Sequence, residues 1–319
     1  MTDLHQAAAY GGPGWSPRVA ELGEEIGMLW ASCGVAAEWT RLRSVLLHRP
    51  GPELATADPD AAQQLDALDV SLAAAQHDAL AAAYRDEGVM VHYVDPPDGA
   101  PPGSLLPNLM FVADLLFMTP QGAIVGRPAS TVRAGEERWV ARRLADLGIP
   151  ILRTVAGRGV FEGADAAWLD EGTVLLATGL RTNAEGAAQV AATLEELGIE
   201  VVLAGLPYGA MHLMGTLRFA GPGLAIAWSG RVPYSAVEAS RQRGYQVLFL
   251  PDEGAASQRI ALNFVTLGPR RILVAAGNPA SRRFYEAAGI TCREVAIGEL
   301  AKAAGGIGCL TGILWRDRP

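Results

Sequence analysis

The chain has 319 residues, half of them hydrophobic and 19% charged, with 34 acidic against 26 basic side chains and a formal charge of −8. Such a length buries a substantial core in one or two domains, and the acidic balance argues against a nucleic acid or an anionic membrane as partner. Lys302 is the only lysine and follows no P-loop glycine pattern, so neither phosphate cradling by a P-loop nor Schiff-base chemistry is expected.

Residues 1–40 read as an N-terminal extension. The opening MTDLHQAAAYGG lacks the basic-then-apolar pattern of a signal peptide, a Gly/Pro-rich GGPGWSP follows, and Val19 to Trp30 is amphipathic. No run of about 18 apolar residues is present to cross a membrane, and a cytoplasmic protein is the expectation. The regular part, residues 41–319, opens with RSVLLHRPGPEL, a strand running into a Pro-Gly-Pro turn.

From there one phrase recurs: a segment of helical period, a glycine, then a mostly apolar strand. The instances are EGVMVHYV at Gly88, LGIPILRT at Gly148, LGIEVVLA at Gly198, RGYQVLFL at Gly244 and AGITCREV at Gly289. A glycine in this position ends a helix in a left-handed cap, and the β-branched run behind it forms a buried strand. Between the phrases lie paired strand signals such as LLFMTP-QG-AIVGRP and AAWLD-EG-TVLLAT, each a hairpin with a short turn. An ordinary α/β sheet with glycine-capped helices would give part of this pattern. The repetition of a ββαβ unit about five times instead predicts an α/β-propeller, a closed ring of five modules with pseudo-fivefold symmetry in one domain.

Candidate chemistry is sparse. Three cysteines lie far apart with no C-x-x-C pair, which fits neither a disulfide framework nor a zinc site. Cys309 sits in AAGGIGCLTGIL, among Gly305, Gly306, Gly308 and Gly312. These glycines allow unusual backbone conformations and close approach of a substrate, and nearby backbone amides can lower a thiol pKa. A buried structural cysteine beside a glycine-rich loop is the plain alternative, and Cys33 and Cys292 fit that role better. Of five histidines, His5 lies in the tail, His77 in an alanine-rich helix, and His48 and His92 in strands. His212 opens a strand after a Pro/Gly turn in LPYGAMHLMGTLRF, where a ring of modules would offer a side chain to a central site. Asp114 interrupts an apolar strand in PNLMFVADLLF and there wants a cationic partner from the protein or a substrate. Glu162 and Asp165, in FEGAD, flank a glycine at the mouth of a strand. Taken singly, each acid is more often a cap or a surface charge.

Together these segments resemble the pentein superfamily of guanidine-modifying enzymes: arginine deiminases, dimethylarginine dimethylaminohydrolases and amidinotransferases. VLLHRPGPEL resembles their opening strand, PNLMFVAD (with Asn108) the P-N-x-x-F-x-R-D motif, FEGAD the E-G-G-D motif, MHLMG the histidine segment and GGIGCLT the terminal G-G-G-x-x-C. The resemblance runs from about Arg43 to the C-terminus. It implies Cys309 as nucleophile on the guanidinium carbon, His212 as acid and base, and Glu162 as the group that orients and charges His212. It implies Asp114 as the guanidinium partner, Asp165 as a lesser contact to substrate or loop, and Arg181 as a carboxylate-binding residue. Arg127 and Arg133 are weaker candidates for that last task.

Two departures stand out. Met214 occupies the place of the second aspartate that deiminases and amidinotransferases carry two residues after the histidine, and Ala113 replaces the arginine of the deiminase motif. Both changes point toward a substituted or otherwise altered guanidine rather than free arginine. The expected activity is therefore metal-free, cofactor-free cysteine hydrolysis of a small guanidino molecule through a covalent thiouronium. The product is ureido, of citrulline type, with ammonia or an amine released, and a homo-oligomer is compatible with this reading. The alternative is an amidinotransferase, with an amine replacing water. A related hydrolase that carries the ureido product on to ornithine resembles F-T-A-N where this chain has F-V-A-D. A ribosome anti-association factor on the same fold would have no use for Cys309, His212, Glu162 and Asp114 together. A manganese guanidinohydrolase would need a D-x-H-x-D run, which is absent.

Overall fold

The computed structural model describes residues 4–55, 57–95, 106–251 and 261–319. The strands in chain order are β1 (Leu42–Leu47), β2 (Met90–Tyr93), β3 (Leu116–Thr119), β4 (Gly122–Val125), β5 (Ile151–Thr154), β6 (Ala166–Asp170), β7 (Thr173–Thr178) and β8 (Glu200–Gly205). They continue as β9 (Leu217–Gly221), β10 (Leu224–Ala227), β11 (Gln246–Phe249), β12 (Val265–Gly268), β13 (Arg271–Ala275), β14 (Thr291–Val295) and β15 (Gly312–Arg316). They form five three-stranded sheets: β3-β4-β5, β6-β7-β8, β9-β10-β11, β12-β13-β14 and β15-β1-β2. In each, the first two strands are antiparallel and the third joins the second in parallel. A parallel return needs a crossover, supplied by the helices Val70–Asp86, Glu137–Asp146, Ala184–Glu196, Tyr234–Gln242 and Pro279–Ala287.

The five repeated glycines do what the sequence predicts. Gly88, Gly148, Gly198, Gly244 and Gly289 all have φ between 72° and 81° just after those helices. The residue following each glycine donates its amide back into the last helical turn, as Val89 N does to the Tyr84 carbonyl at 3.0 Å and Ile199 N to Leu194 at 3.0 Å. That is the Schellman closure, in which glycine tolerates a left-handed backbone that a side chain would oppose.

The ring closes on its own ends. β15 pairs with β1, aligning Val45 with Ile313 and Leu46 with Gly312, and Arg43 grips Asp317 with two contacts of 2.6 and 2.7 Å. The first strand of every module faces the axis: Met118 (β3), Trp168 (β6), Arg218 (β9), Val265 (β12) and Ile313 (β15) line one narrow central cavity. The middle strands, such as β4 and β10, are wholly buried, so they read as continuous apolar runs. Before β1, the chain at 31–35 docks on the ring: Ala31 N donates to Gly148 O, Gly34 N to Leu314 O, and Cys33 and Val35 lie in the core.

A single helical turn precedes most of the axial strands: Val112–Leu115 before β3, Gly163–Asp165 before β6, Leu213–Gly215 before β9 and Ile307–Leu310 before β15. In the fourth module a turn at 261–262 leads through Asn263 into β12. Asp114 therefore lies in a turn and not within a strand as expected from its apolar surroundings; the strand starts only at Leu116. Neighbouring turns pack backbone against backbone. A Cβ on Gly163 would overlap the carbonyl oxygens of Leu116 and Ala113, so only glycine fits there.

Candidate active site

These turns bring five side chains, one from each module, to the same end of the axis: Asp114, Glu162, His212, Asn263 and Cys309. Each is at most 8% exposed. His212 Nε2 donates to Glu162 Oε2 at 2.6 Å and lies 3.8 Å from Asp114 Oδ1. The other Glu162 oxygen accepts Ala129 N at 3.0 Å and faces Arg181 Nη1 at 3.5 Å. Burial alone would drive His212 neutral. The Asp114 charge, then the Glu162 hydrogen bond, outweigh it and hold the imidazole protonated up to about pH 9. Burial likewise works to raise Glu162, but the hydrogen bond from His212 and the charges of His212, Arg133 and Arg181 keep it ionised, well below the ordinary carboxylate range.

Arg133 is buried against this pair. Its Nη1 donates to Asp114 Oδ2 at 2.5 Å, its Nε to Glu136 Oε2 at 2.8 Å, and its Nη2 reaches the Phe111 carbonyl at 3.2 Å. Burial opposes its charge, and Glu136, Asp114 and Glu162 more than restore it. Glu136 itself is pushed up to about 7, by burial against the pull of Arg133. One atom is left over. Asp114 Oδ1 is buried with no hydrogen-bond partner, and Asp114, Cys309 and His212 line the same small cavity. A buried carboxylate oxygen that no donor meets forfeits about 1–3 kcal/mol or more of solvation. The cavity therefore asks for a cationic N–H donor between Asp114 and the thiol.

Cys309 is held by Asn263 from both sides: Asn263 Nδ2 donates to Sγ at 3.0 Å, and Asn263 Oδ1 accepts the Cys309 amide at 3.0 Å. The thiol pKa is raised, first by burial and then by the Asp114 charge, against the pull of the Asn263 amide and the Gly306 backbone. A backbone contact lowers it as expected, but burial outweighs that pull. The glycines around it also act differently than expected. Gly305, Gly306, Gly308 and Gly312 all lack a left-handed φ. Gly305, Gly308 and Gly312 are small because their neighbours are close: a Cβ on Gly308 would sit 2.8 Å from Asn263 Oδ1 and 2.9 Å from Met214 Sδ.

The remaining candidates divide. Arg181 lines the cavity and approaches Glu162 at 3.5 Å. Asn108 also lines it and ties down the 62–64 segment, accepting from Gln64 Nε2 at 3.1 Å and donating to the Ala62 carbonyl at 2.7 Å. Asp165 stands behind the site. It accepts the Thr182 hydroxyl at 2.7 Å and the Leu213 amide at 3.1 Å, fixing the turn that carries His212, and burial pushes it up to about 6. Arg127 is not brought in; its guanidinium bonds the Gly159 carbonyl at 3.1 Å while its backbone pairs with Phe161. Asn263 and Glu136 were not singled out from the sequence.

Among the described residues, Asp114, Glu162 and His212 also have the mutual spacing of a cation site. His212 Nε2 is committed to Glu162 Oε2, and the Arg133 guanidinium already pairs with Asp114, so this donor set fits an ion-pair network better than a metal centre.

Five three-stranded modules of ββαβ order, set around one axis, are the architecture of the pentein fold. No family model matches this chain. It is similar to the N(G),N(G)-dimethylarginine dimethylaminohydrolase of Streptomyces coelicolor, 29% identical over 269 residues that span 84% of this chain and 96% of the relative. Among solved structures it resembles the dimethylarginine dimethylaminohydrolase of Pseudomonas aeruginosa complexed with citrulline, with a TM-score of 0.68 and 23% identity over 87% of this chain and all of the other. It also resembles an amidinotransferase of the saxitoxin biosynthetic pathway from Microseira wollei, with a TM-score of 0.70 and 15% identity over 91% and 98% of the two chains.

Proposed function

We propose that this protein hydrolyses a C–N bond of a small guanidino compound, with Cys309 as nucleophile. The observation that carries the reading is the buried Asp114 Oδ1, which has no hydrogen-bond donor, in a cavity shared with Cys309 and His212. A guanidinium is planar, cationic and rich in N–H donors, so it satisfies that oxygen and presents its carbon to the thiol. Its positive charge also offsets the Asp114 charge that holds the Cys309 pKa up. Binding thus favours the thiolate, and the nucleophile is activated by its own substrate.

The steps balance as follows. As the guanidinium binds, the Cys309 thiol releases its proton to solvent, and the thiolate Sγ bonds to the guanidinium carbon. His212, kept protonated by Asp114 and Glu162, gives a proton to the departing nitrogen, which leaves as ammonia or an amine. The cationic thiouronium left on Cys309 is then attacked by water, with His212 now taking the proton. Sulfur departs as the second proton of the water passes to it or to solvent, and the neutral ureido product carries the water oxygen. Glu162 orients the imidazole and stabilises its charge, the third-group role in a triad. Arg133 fixes the Asp114 carboxylate, and Arg181 is the cation placed to meet an acidic group on the substrate.

The test is turnover of a panel of guanidino compounds in oxygen-18 water with no amine acceptor present. A ureido product with one solvent oxygen is expected. Product that appears only when an amine is added, without label, would make the protein an amidinotransferase instead.

A further inference from the structure

The small polar cavity is not the only space that reaches the reactive residues. Cys309, His212, Met211 and Ala304 line it, and all four also line a second, much wider cavity. The polar cavity measures about 30 Å³, room for a small head group, whereas the second measures about 550 Å³. That is the size of a site for a whole organic ligand. Its lining differs in kind. Beyond the shared residues it is built from Met214, Trp228, alanine and glycine together with Thr216 and Asn263, with Arg231 at one side and, among the described residues, no carboxylate. The Arg231 guanidinium lies over the Trp228 ring at 5.0 Å and bonds the Gly209 carbonyl, which holds the indole as a fixed wall. Met214, where a second carboxylate would have taken further N–H donors, opens this side to carbon instead.

Resting on the guanidino reading above, we propose that the substrate carries a bulky apolar or aromatic substituent on its guanidine, housed in the wide cavity between Met211, Met214 and Trp228, with the guanidinium head against Asp114. The charged tail of free arginine would bury little apolar surface in this space. An arylalkyl group would fill it and bury apolar surface on both partners. Methionine side chains adapt to such groups, and their sulfurs contact aromatic edges favourably. The substituent stands on the Cys309 side, so either it or ammonia can depart; both products count as turnover.

The experiment compares kcat/KM for arginine and monomethylarginine with that for N-benzylarginine and phenethylguanidine, reading ammonia, amine and ureido products by mass spectrometry. The expected result is at least a tenfold preference for the arylalkyl compounds. Trp228→Leu should lower the arylalkyl-to-methyl ratio by about tenfold, with the thermal midpoint measured alongside; if that variant does not fold, the wild-type ratio decides. Turnover of arginine or monomethylarginine with no arylalkyl preference overturns this inference and leaves the hydrolase reading standing. If no guanidine of the panel is turned over, both fall.

Discussion

Replacing Glu162 with glutamine keeps the shape of the His212 contact and removes its charge. In the native site burial pushes the imidazole down while Asp114 and Glu162 lift it, and the net value is about 9 against an ordinary 6.5. That difference corresponds to about 3 kcal/mol of preference for the protonated ring. Because the folded value lies above the ordinary one, this stabilisation is fully present below about pH 6.5 and is lost as pH rises through about 9. Asp114 supplies the largest opposing charge and stays in the variant, so glutamine removes only part of the lift. The alkaline limb of kcat/KM, which reports groups of the free enzyme, should therefore move down by about 1–2 pH units. At pH 8 the variant should lose roughly tenfold in kcat/KM or more, because His212 no longer holds a proton for the leaving nitrogen. The thermal midpoint should fall as well, since the Arg181 and Ala129 contacts lose a charged acceptor. The assay is a pH–rate profile of both proteins. An alkaline limb that stays in place while activity drops would refute the idea that Glu162 sets the protonation of His212.

Other outcomes follow from the same site. Cys309→Ser should abolish turnover, while Cys33→Ser and Cys292→Ser, in the core under β15 and on β14, keep most of it in the same assay. Asn263→Ala removes both contacts on Cys309. It should slow iodoacetamide inactivation near neutral pH and cut kcat/KM by about 10–100-fold, since the thiol loses a donor that favours its charged form; an unchanged alkylation rate would make Asn263 a packing residue only. Dialysis against EDTA should leave the rate unchanged, and loss of activity restored by a divalent ion would assign Asp114, Glu162 and His212 to a metal.

The ring was legible because each module repeats a local instruction. A glycine with φ near 75° must follow each helix, and that requirement survives when the rest of the repeat has diverged. The acids and Cys309 were legible as chemistry in unusual settings. Asp114 inside an apolar run had to find a cation, and it found two uses for its oxygens: Arg133 takes Oδ2, while Oδ1 is left open. That division could not be read from the chain, because the two residues meet only through the packing of separate loops. Asn263 carries no chemical flag in ALNFVTLG. Its one signal is positional: it stands ahead of the fourth axial strand, as Asp114, His212 and Cys309 stand ahead of theirs. The direction of the Cys309 shift was hidden for a different reason. Backbone amides and burial act in opposite senses on a thiol, and only the folded structure shows that burial wins.

The most direct test of the account is the mass of the protein quenched with acid during turnover of a guanidino substrate. The account predicts an added mass equal to the substrate less its departing amine, located by peptide mapping on Cys309 and absent from Cys309→Ser. Robust turnover with no adduct on Cys309, or an adduct on another residue that is lost when that residue is replaced, would contradict it.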